Sequence, residues 1–277
     1  MRIAVLVKQV PGDMNVSINE DFTVNREAVR KIANPADVSA LAMAVGVKER
    51  YGGVIACMTM GPKSAVECLR EAAIAGADEL YHICDPAFAG SDTFITALIL
   101  SSAVRVTGGA DLIFCGRHAI DGETGQVGPE ISVIMGISCI THITGITEIR
   151  SNMIMCNRFI GSETQLFSVK MPAVVTVCDF FVAPTLPSMS AIRKASSLPV
   201  NVLAPKDLNL VGVTGRGNSP TKVERVYVKE RERRKVAILS PEEGITKIAK
   251  ILCFGGEPRT ADSALSISEL GSGSETK

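Results

Sequence analysis

An α/β fold built on a parallel sheet is what this chain predicts, on three observations. Short apolar runs recur at 2–7, 54–60, 79–84, 111–115 and 173–178, each with the length and composition of a strand buried on both faces. Between them, 36–51, 63–75 and 93–107 carry apolar residues at helical spacing, and short β alternating with long α implies right-handed crossovers. The joints at 75–78 and 108–111 combine alanine, glycine and aspartate, as expected where a helix is capped and hands the chain to the next strand.

The order of elements follows from this alternation. After the fourth parallel strand comes GRHAIDGETGQVGPE, residues 116–130, which leads into another stretch of helical spacing. From 140 to 170 the pattern changes to two alternating runs separated by Arg150, Ser151 and Asn152, which reads as an antiparallel excursion attached to the main sheet. These segments make a domain of residues 1–180. Beyond Asp179 the rhythm is lost, and Pro184, Pro187, Pro199 and Pro205 keep the chain extended. Residues 181–254 are therefore expected to be an extended arm with a short helix that docks a partner and wraps another subunit. The charge-dense run 222–235 reads as a solvated strand face. Residues 255–277, polar and glycine-bearing, are expected to be a mobile tail.

Composition narrows the functions. With 277 residues and 46% hydrophobic content the chain can bury a large core. Its 29 basic residues balance 29 acidic ones, so no general attraction to nucleic acid or to an anionic membrane is implied. The eight cysteines contain no C-x-x-C pair and mostly lie in apolar runs, where a thiol acts as a small hydrophobe, so no metal site is expected. The first ten residues do not form a signal peptide, and no apolar run approaches a membrane span. A cytoplasmic, reducing setting is the expectation.

The glycine-rich turn at 116–130 carries the chemistry. A strand-to-helix turn of this composition is either a tight turn that needs glycine's freedom or a cradle of main-chain amides around a phosphate. Neither G-x-G-x-x-G nor the P-loop pattern is present. In a doubly wound sheet a ligand is expected at the carboxyl ends of the strands, here 8–10, 60–62, 84–93 and 116–128.

Five segments in fixed order bring a resemblance into view: IAVLVKQVPGD at 3–13, the segment Ala33-Asn34-Pro35-Ala36-Asp37, the turn Met60-Gly61-Pro62, the loop 116–130, and MPAVVTV at 171–177. Over residues 1 to about 255 the chain resembles the beta subunit of electron transfer flavoprotein. The resemblance implies an adenine-nucleotide-binding, Rossmann-like parallel-sheet fold paired with an alpha subunit that carries an FAD. It assigns nucleotide contacts to Leu6, Asn34, Pro35, Ala36, Asp37 and Met60. In the loop it assigns them to Gly116, Arg117, Ala119, Ile120, Asp121, Gly122, Glu123, Thr124, Gly125, Gln126 and Val127. Gly116, Gly122 and Gly125 would let the main chain approach a phosphate, and Thr124 and Gln126 can donate to it. Arg117 either offsets phosphate charge or is solvated. Asn34 sits where it would also cap the following helix, and Asp121 either reaches a ribose hydroxyl or caps a helix beginning near Gly122. His118 is ambiguous, and His82 and His142 read as structural.

Two details resemble the electron-bifurcating branch, whose beta subunit holds a second FAD where ordinary carriers hold AMP. The loop reads IDGETGQVGPE, with more main-chain room and fewer carboxylates than the ordinary form. Ser91-Asp92-Thr93-Phe94-Ile95-Thr96 resembles the segment in which two threonines approach the flavin, although Ser-Asp also reads as a plain helix cap. Thr93 and Thr96 are three apart, on one face of a helix. The implied function is that the beta-subunit FAD takes a hydride from NADH. One electron then goes to ferredoxin or flavodoxin, and the other passes through the alpha-subunit FAD to a flavin-dependent dehydrogenase or reductase. The alternatives are an ordinary carrier with structural AMP, and a nucleotide-binding regulatory module. The flavin supplies the chemistry in this reading, so no catalytic side chain is expected, and NADH oxidation would belong to the complex. Residues 184–194 resemble the loop that docks the partner, with Leu186 as anchor and Pro187, Met189, Arg193 and Lys194 beside it. That basic run is shorter than in the family, and 161–165 departs from the family's acidic glycine turn.

Overall fold

A computed structural model describes residues 1–12, 30–161, 163–182, 186–224 and 238–253 of the chain. In chain order its strands are β1 (Arg2–Leu6), β2 (Gln9–Pro11), β3 (Lys31–Ala33), β4 (Val54–Met60), β5 (Glu79–Ile83), β6 (Leu112–Gly116), β7 (Ser138–Arg150), β8 (Met153–Ile160), β9 (Glu163–Lys170), β10 (Ala173–Val177) and β11 (Val200–Leu203). The helices are α1 (Pro35–Tyr51), α2 (Val66–Ala75), α3 (Thr93–Val106), α4 (Val127–Met135), α5 (Met189–Ser197), α6 (Gly215–Asn218) and α7 (Pro241–Cys253).

Nine strands form one sheet in the order β11-β5-β4-β1-β6-β10-β7-β8-β9. From β11 to the first half of β7 the pairing is parallel, and β7-β8-β9 continue it antiparallel. The expected α/β class with an antiparallel excursion is what the chain adopts. The apolar runs are strands because both faces are covered. Ile3, Val5, Ile55, Leu80 and Val175 meet α1 and α2 in one core layer, while Ala4, Met58, Ile113 and Val174 meet α3 and α4 in the other. Cys57, Cys68 and Cys156 lie in the first layer and Cys115 in the second. The excursion turns at Ser151 and Asn152, with φ of 48° and 64°, the paired left-handed residues of a tight hairpin whose twist matches its strands.

The chain leaves β1 toward β4 through α1 and returns from β5 through α3 to β6, on the other side of β1. The topological switch point therefore lies between the carboxyl ends of β1 and β6.

Three boundaries differ from expectation. Residues 63–65 form a 3-10 turn before α2. The helix after the glycine-rich loop begins at Val127 rather than near Gly122. Part of the segment expected to extend away packs on the sheet instead: β11 pairs with the free edge of β5, and Asn201 Nδ2 donates to Leu80 O at 3.2 Å. The preceding stretch is tied down by Arg70, whose Nη1 donates to Leu198 O at 2.6 Å. An unpaired edge satisfies its main-chain groups by accepting such a strand.

Contact density separates 1–227 from 228–277. In the second unit α7 opens on a capping box, in which Ser240 N donates to Glu243 Oε2 and Glu243 N to Ser240 Oγ. Residues 225–237 and 254–277, which include most of the charged run and the tail, lie outside the described residues. Among the described residues, no helix is long and apolar enough to cross a membrane.

Gly128, in the first turn of α4, lets that helix approach the sheet. A Cβ there would lie 2.6 Å from Thr176 Cγ2 and 3.0 Å from Cys115 Sγ. Gly128→Ala is expected to cost about 1–3 kcal/mol by forcing α4 outward, read as a lower urea midpoint with unchanged slope. An unchanged midpoint would show that the helix can shift freely.

Candidate functional site

The switch point is held by one carboxylate. Asp37 lies in the first turn of α1, where the helix dipole favours a negative charge. Its Oδ2 accepts from Lys8 N and its Oδ1 from Gly116 N, each at 2.8 Å. It thus ties the end of β1 to the end of β6. Burial pushes the Asp37 carboxyl up to about 6, against the pull of the Gly116 and Lys8 amides, Asn34 and the Lys8 charge. Gly116 is glycine for this contact: a Cβ would meet Ala36 Cβ at 2.6 Å and crowd the carboxylate. Its missing side chain makes room for the start of α1.

Asn34 is fully buried at the N-cap position of α1, yet its side chain caps nothing. Nδ2 donates to His118 O at 2.9 Å, and Oδ1 accepts from Ile120 N at 3.2 Å. Its amide therefore clamps the glycine-rich loop across the switch point. Lys8 is a second clamp, with Nζ 2.8 Å from Asp121 Oδ1. Asp121 therefore neither caps a helix nor stands free. Lys8 was not singled out by sequence; the signal was its place as a cation just beyond the first strand.

Loop conformation follows from these ties. Ala119 O accepts from Gly122 N and Glu123 N, closing a turn, and Glu123 and Gly125 take φ of 50° and 64°. Gly125 has its Cβ direction 3.2 Å from Arg117 O, so both backbone angle and space select glycine there. The three amides that follow, of Thr124, Gly125 and Gln126, have no hydrogen-bond partner among the described residues. They precede the N-terminus of α4. Consecutive unpaired amides leading into a helix N-terminus are what an anion requires, and the loop fits a nucleotide phosphate.

The threonine face stands beside this cradle. Asp92 caps α3, with Oδ1 accepting from Ile95 N at 3.0 Å and Oδ2 accepting from Thr221 N and Oγ1. Those bonds keep its carboxyl below the usual range despite desolvation. The capping role of Asp92 is therefore real, and Thr93 beside it is engaged as well. Its hydroxyl donates toward Gln126 Oε1 at 3.2 Å and Glu130 Oε1 at 3.0 Å, joining the first turn of α3 to that of α4. Burial raises the Glu130 carboxyl, partly offset by Thr93. Thr96 is half-buried one turn on.

The remaining expected residues divide by environment. Leu6 is buried with its side chain in the α3–α4 core layer, and Ala36 is buried in the first turn of α1. Pro35 is the first residue of α1, Met60 ends β4 half-buried, Val127 opens α4, and Gly122 has open space around it. Arg117 is half-buried and paired, Nε to Asp179 Oδ1 at 2.8 Å, so that nitrogen is not aimed at the cradle. His82 is buried against Gly61 O, as a structural histidine would be. Away from the switch point, Leu186 and Met189 are 93% and 77% exposed, and Pro187, Arg193 and Lys194 are exposed beside them. Their helix α5 is capped by Ser188 and anchored through buried Ala195.

Comparison with known proteins gives the same direction. The family model described as electron transfer flavoprotein domain matches residues 21–208. The chain is 38% identical over 239 residues to electron transfer flavoprotein subunit beta of Thermoanaerobacterium thermosaccharolyticum, covering 84% of this chain and 90% of that protein. It is 37% identical to acryloyl-CoA reductase electron transfer subunit gamma of Anaerotignum propionicum, with 82% and 88% covered. It is 34% identical to caffeyl-CoA reductase-Etf complex subunit CarD of Acetobacterium woodii, with 82% and 87% covered.

The Asp37 strut has a signature in pH. Its folded carboxyl, at about 6, holds a proton that the unfolded chain, near 3.8, has released. Stability from this group therefore falls as pH rises through that window and is level above it. Asp37→Asn is expected to flatten that part of the profile and to lose about 1–3 kcal/mol, since its NH2 faces one of the two main-chain amides. Urea midpoints of both proteins from pH 4 to pH 7 measure this, and parallel profiles would remove Asp37 from the titration.

Proposed function

The chain belongs to the electron transfer flavoprotein beta family, and we propose that it is the subunit of a two-chain flavoprotein that holds a second FAD and receives electrons from NADH. The observation that carries this reading is the hydrogen bond from Thr93 to Gln126. It sets the hydroxyl face of α3 against the end of the phosphate cradle, so a nucleotide extending past its phosphates runs along Thr93 and Thr96. Adenylate ends at the cradle and would leave that face without a ligand. The similarity to subunits of acryloyl-CoA and caffeyl-CoA reductase complexes supports a reductase as the downstream partner.

When bound, the flavin would supply hydride acceptance and the release of electrons one at a time. Everything else is positioning by this chain. The amides of Thr124, Gly125 and Gln126 and the N-terminus of α4 hold the diphosphate without bringing a counter-charge of their own. Asn34 and Lys8 hold the loop that presents them. The hydroxyls of Thr93 and Thr96 orient the ring and set the polarity at its edge. Asp121 and Arg117, each neutralised by a partner, limit the field of the loop on the ligand. The partners in this reading are an alpha subunit with the other FAD, ferredoxin or flavodoxin, and a dehydrogenase or reductase docking at Leu186, Pro187, Met189, Arg193 and Lys194.

Denaturing the native two-chain complex and identifying what it releases tests the proposal. Two FAD per complex are expected, and one FAD with one AMP would overturn the reading in favour of an ordinary carrier. Within the cradle, Gly125→Val is expected to abolish nucleotide retention while the far-UV spectrum stays unchanged, because it adds a branched side chain at positive φ. Full cofactor content in that variant would take the loop out of the site.

A further inference from the structure

The first turns of α3 and α4 share a hydroxyl that cannot donate to both of its neighbours. Thr93 Oγ1 lies 3.0 Å from Glu130 Oε1 and 3.2 Å from Gln126 Oε1. All three atoms are oxygens, and a threonine hydroxyl carries one proton. If Glu130 is ionised, that proton points to its carboxylate, and the Thr93 oxygen faces Gln126 Oε1 with nothing between them. If Glu130 is protonated, Oε1–H donates to Thr93, Thr93 donates to Gln126, and both contacts hold a proton. Turning the Gln126 amide over would also supply a donor.

The second oxygen of Glu130 decides between these arrangements. Oε2 is buried with no partner among the described residues. An ionised carboxylate divides its charge over both oxygens, so a desolvated oxygen without a donor disfavours the charged form far more than the neutral acid. The dipole of α4 favours a charge in its first turn, yet among the described residues no main-chain amide donates to either oxygen.

No charge around Glu130 compensates. Asp92, the cap of α3, is the nearest charged group and is itself acidic. Among the described residues no lysine or arginine pairs with Glu130. Arg105 of α3 donates to Ile134 O at the far end of both helices, and Arg216 of α6 lies against Gly90. The sheet beneath α4 offers Cys139 from β7 and Cys115 from β6, thiols kept uncharged by burial, and nothing titratable from β10. Burial raises the Glu130 carboxyl, the Thr93 hydroxyl pulls it down, and the Asp92 charge pushes it up again.

We propose that Glu130 holds a proton on Oε1 and is a positioning residue for the cofactor: the bond it donates commits the Thr93 proton to Gln126, so Thr93 meets the ligand with oxygen lone pairs alone. This rests on the reading that a flavin lies along Thr93 and Thr96. Reduction adds N–H donors to an isoalloxazine ring, so an edge that only accepts favours the reduced ring. When Glu130 loses its proton at higher pH, a negative charge appears behind Thr93 and disfavours added electrons.

Carbon-13 NMR of the full chain, labelled at the glutamate carboxyl carbons, tests the first half. One resonance, absent from Glu130→Gln, is expected to titrate above the ordinary glutamate range. Redox titration of the flavins in the two-chain complex over the same pH range tests the second. One wild-type potential is expected to fall more steeply with pH where that resonance titrates. Glu130→Gln, whose amide keeps a donor toward Thr93 but cannot ionise, is expected to lack the bend, whereas a merely structural role would shift the whole line in parallel. A Glu130 resonance that titrates in the ordinary range overturns the inference alone. So does a high titration accompanied by parallel potential lines, because Glu130 then does not reach the cofactor. A complex that releases no second FAD overturns the proposed function and, with it, the role of Glu130 toward a flavin.

Discussion

The carboxylate of Asp37 is the constraint around which the site is arranged. A sheet that winds in both directions from β1 opens a crevice between β1 and β6, and nothing in the strand ladder closes the carboxyl end of that crevice. Asp37 does so by accepting both terminal amides, Lys8 N and Gly116 N, from the first turn of α1. The arrangement carries a cost, visible in how far burial raises the carboxyl. It persists because both oxygens are answered by main-chain donors at short distance and the helix dipole adds to them. Substituents at Gly116 are excluded by the same contact, so the strut and the glycine specify one another.

From that strut the loop is positioned in two further steps. Asn34, next to α1, gives both halves of its amide to His118 and Ile120, and Lys8, next to β1, gives its ammonium to Asp121. The first part of the loop is held at His118, Ile120 and Asp121, while the three amides that follow are left unpaired. A site of this kind is preorganised: the donors stand in place before a ligand arrives, so little ordering accompanies binding. The Thr93 hydroxyl extends the same logic from α4 to α3.

Much of this was legible in the residues. The apolar runs located β1, β4, β5, β6 and β10, because burial on both faces leaves no alternative composition, whereas the parallel first half of β7 was read as part of the antiparallel excursion. The left-handed hairpin at Ser151 and Asn152 was marked by the break between two alternating runs. The loop and its family resemblance placed Asn34, Asp37 and 116–127 together at one end of the sheet, and the structure brings them together there. What was hidden were the pairings between distant residues. Nothing near Arg117 announces Asp179, and nothing near Asp121 announces Lys8, more than a hundred positions away. The helix start was misplaced because Gly122 and Asp121 look like a cap locally, whereas the ties to Asn34 and Lys8 hold that stretch in a turn until Val127. β11 was missed because four residues after a proline carry no period, and only the free edge of β5 makes a strand of them.

The placement of the cysteines has a consequence for a protein that handles electrons. Cys57, Cys68, Cys115 and Cys156 are enclosed in the two core layers. Burial pushes the Cys68 thiol up to about 12 and that of Cys156 to about 11, and raises Cys57 and Cys115 further still. Sulfur reacts with peroxide and with disulfides as the thiolate, and these four have almost none at neutral pH. Any reactive oxygen released when a reduced electron carrier meets air would find the sheet interior chemically quiet, leaving oxidative damage to the surface.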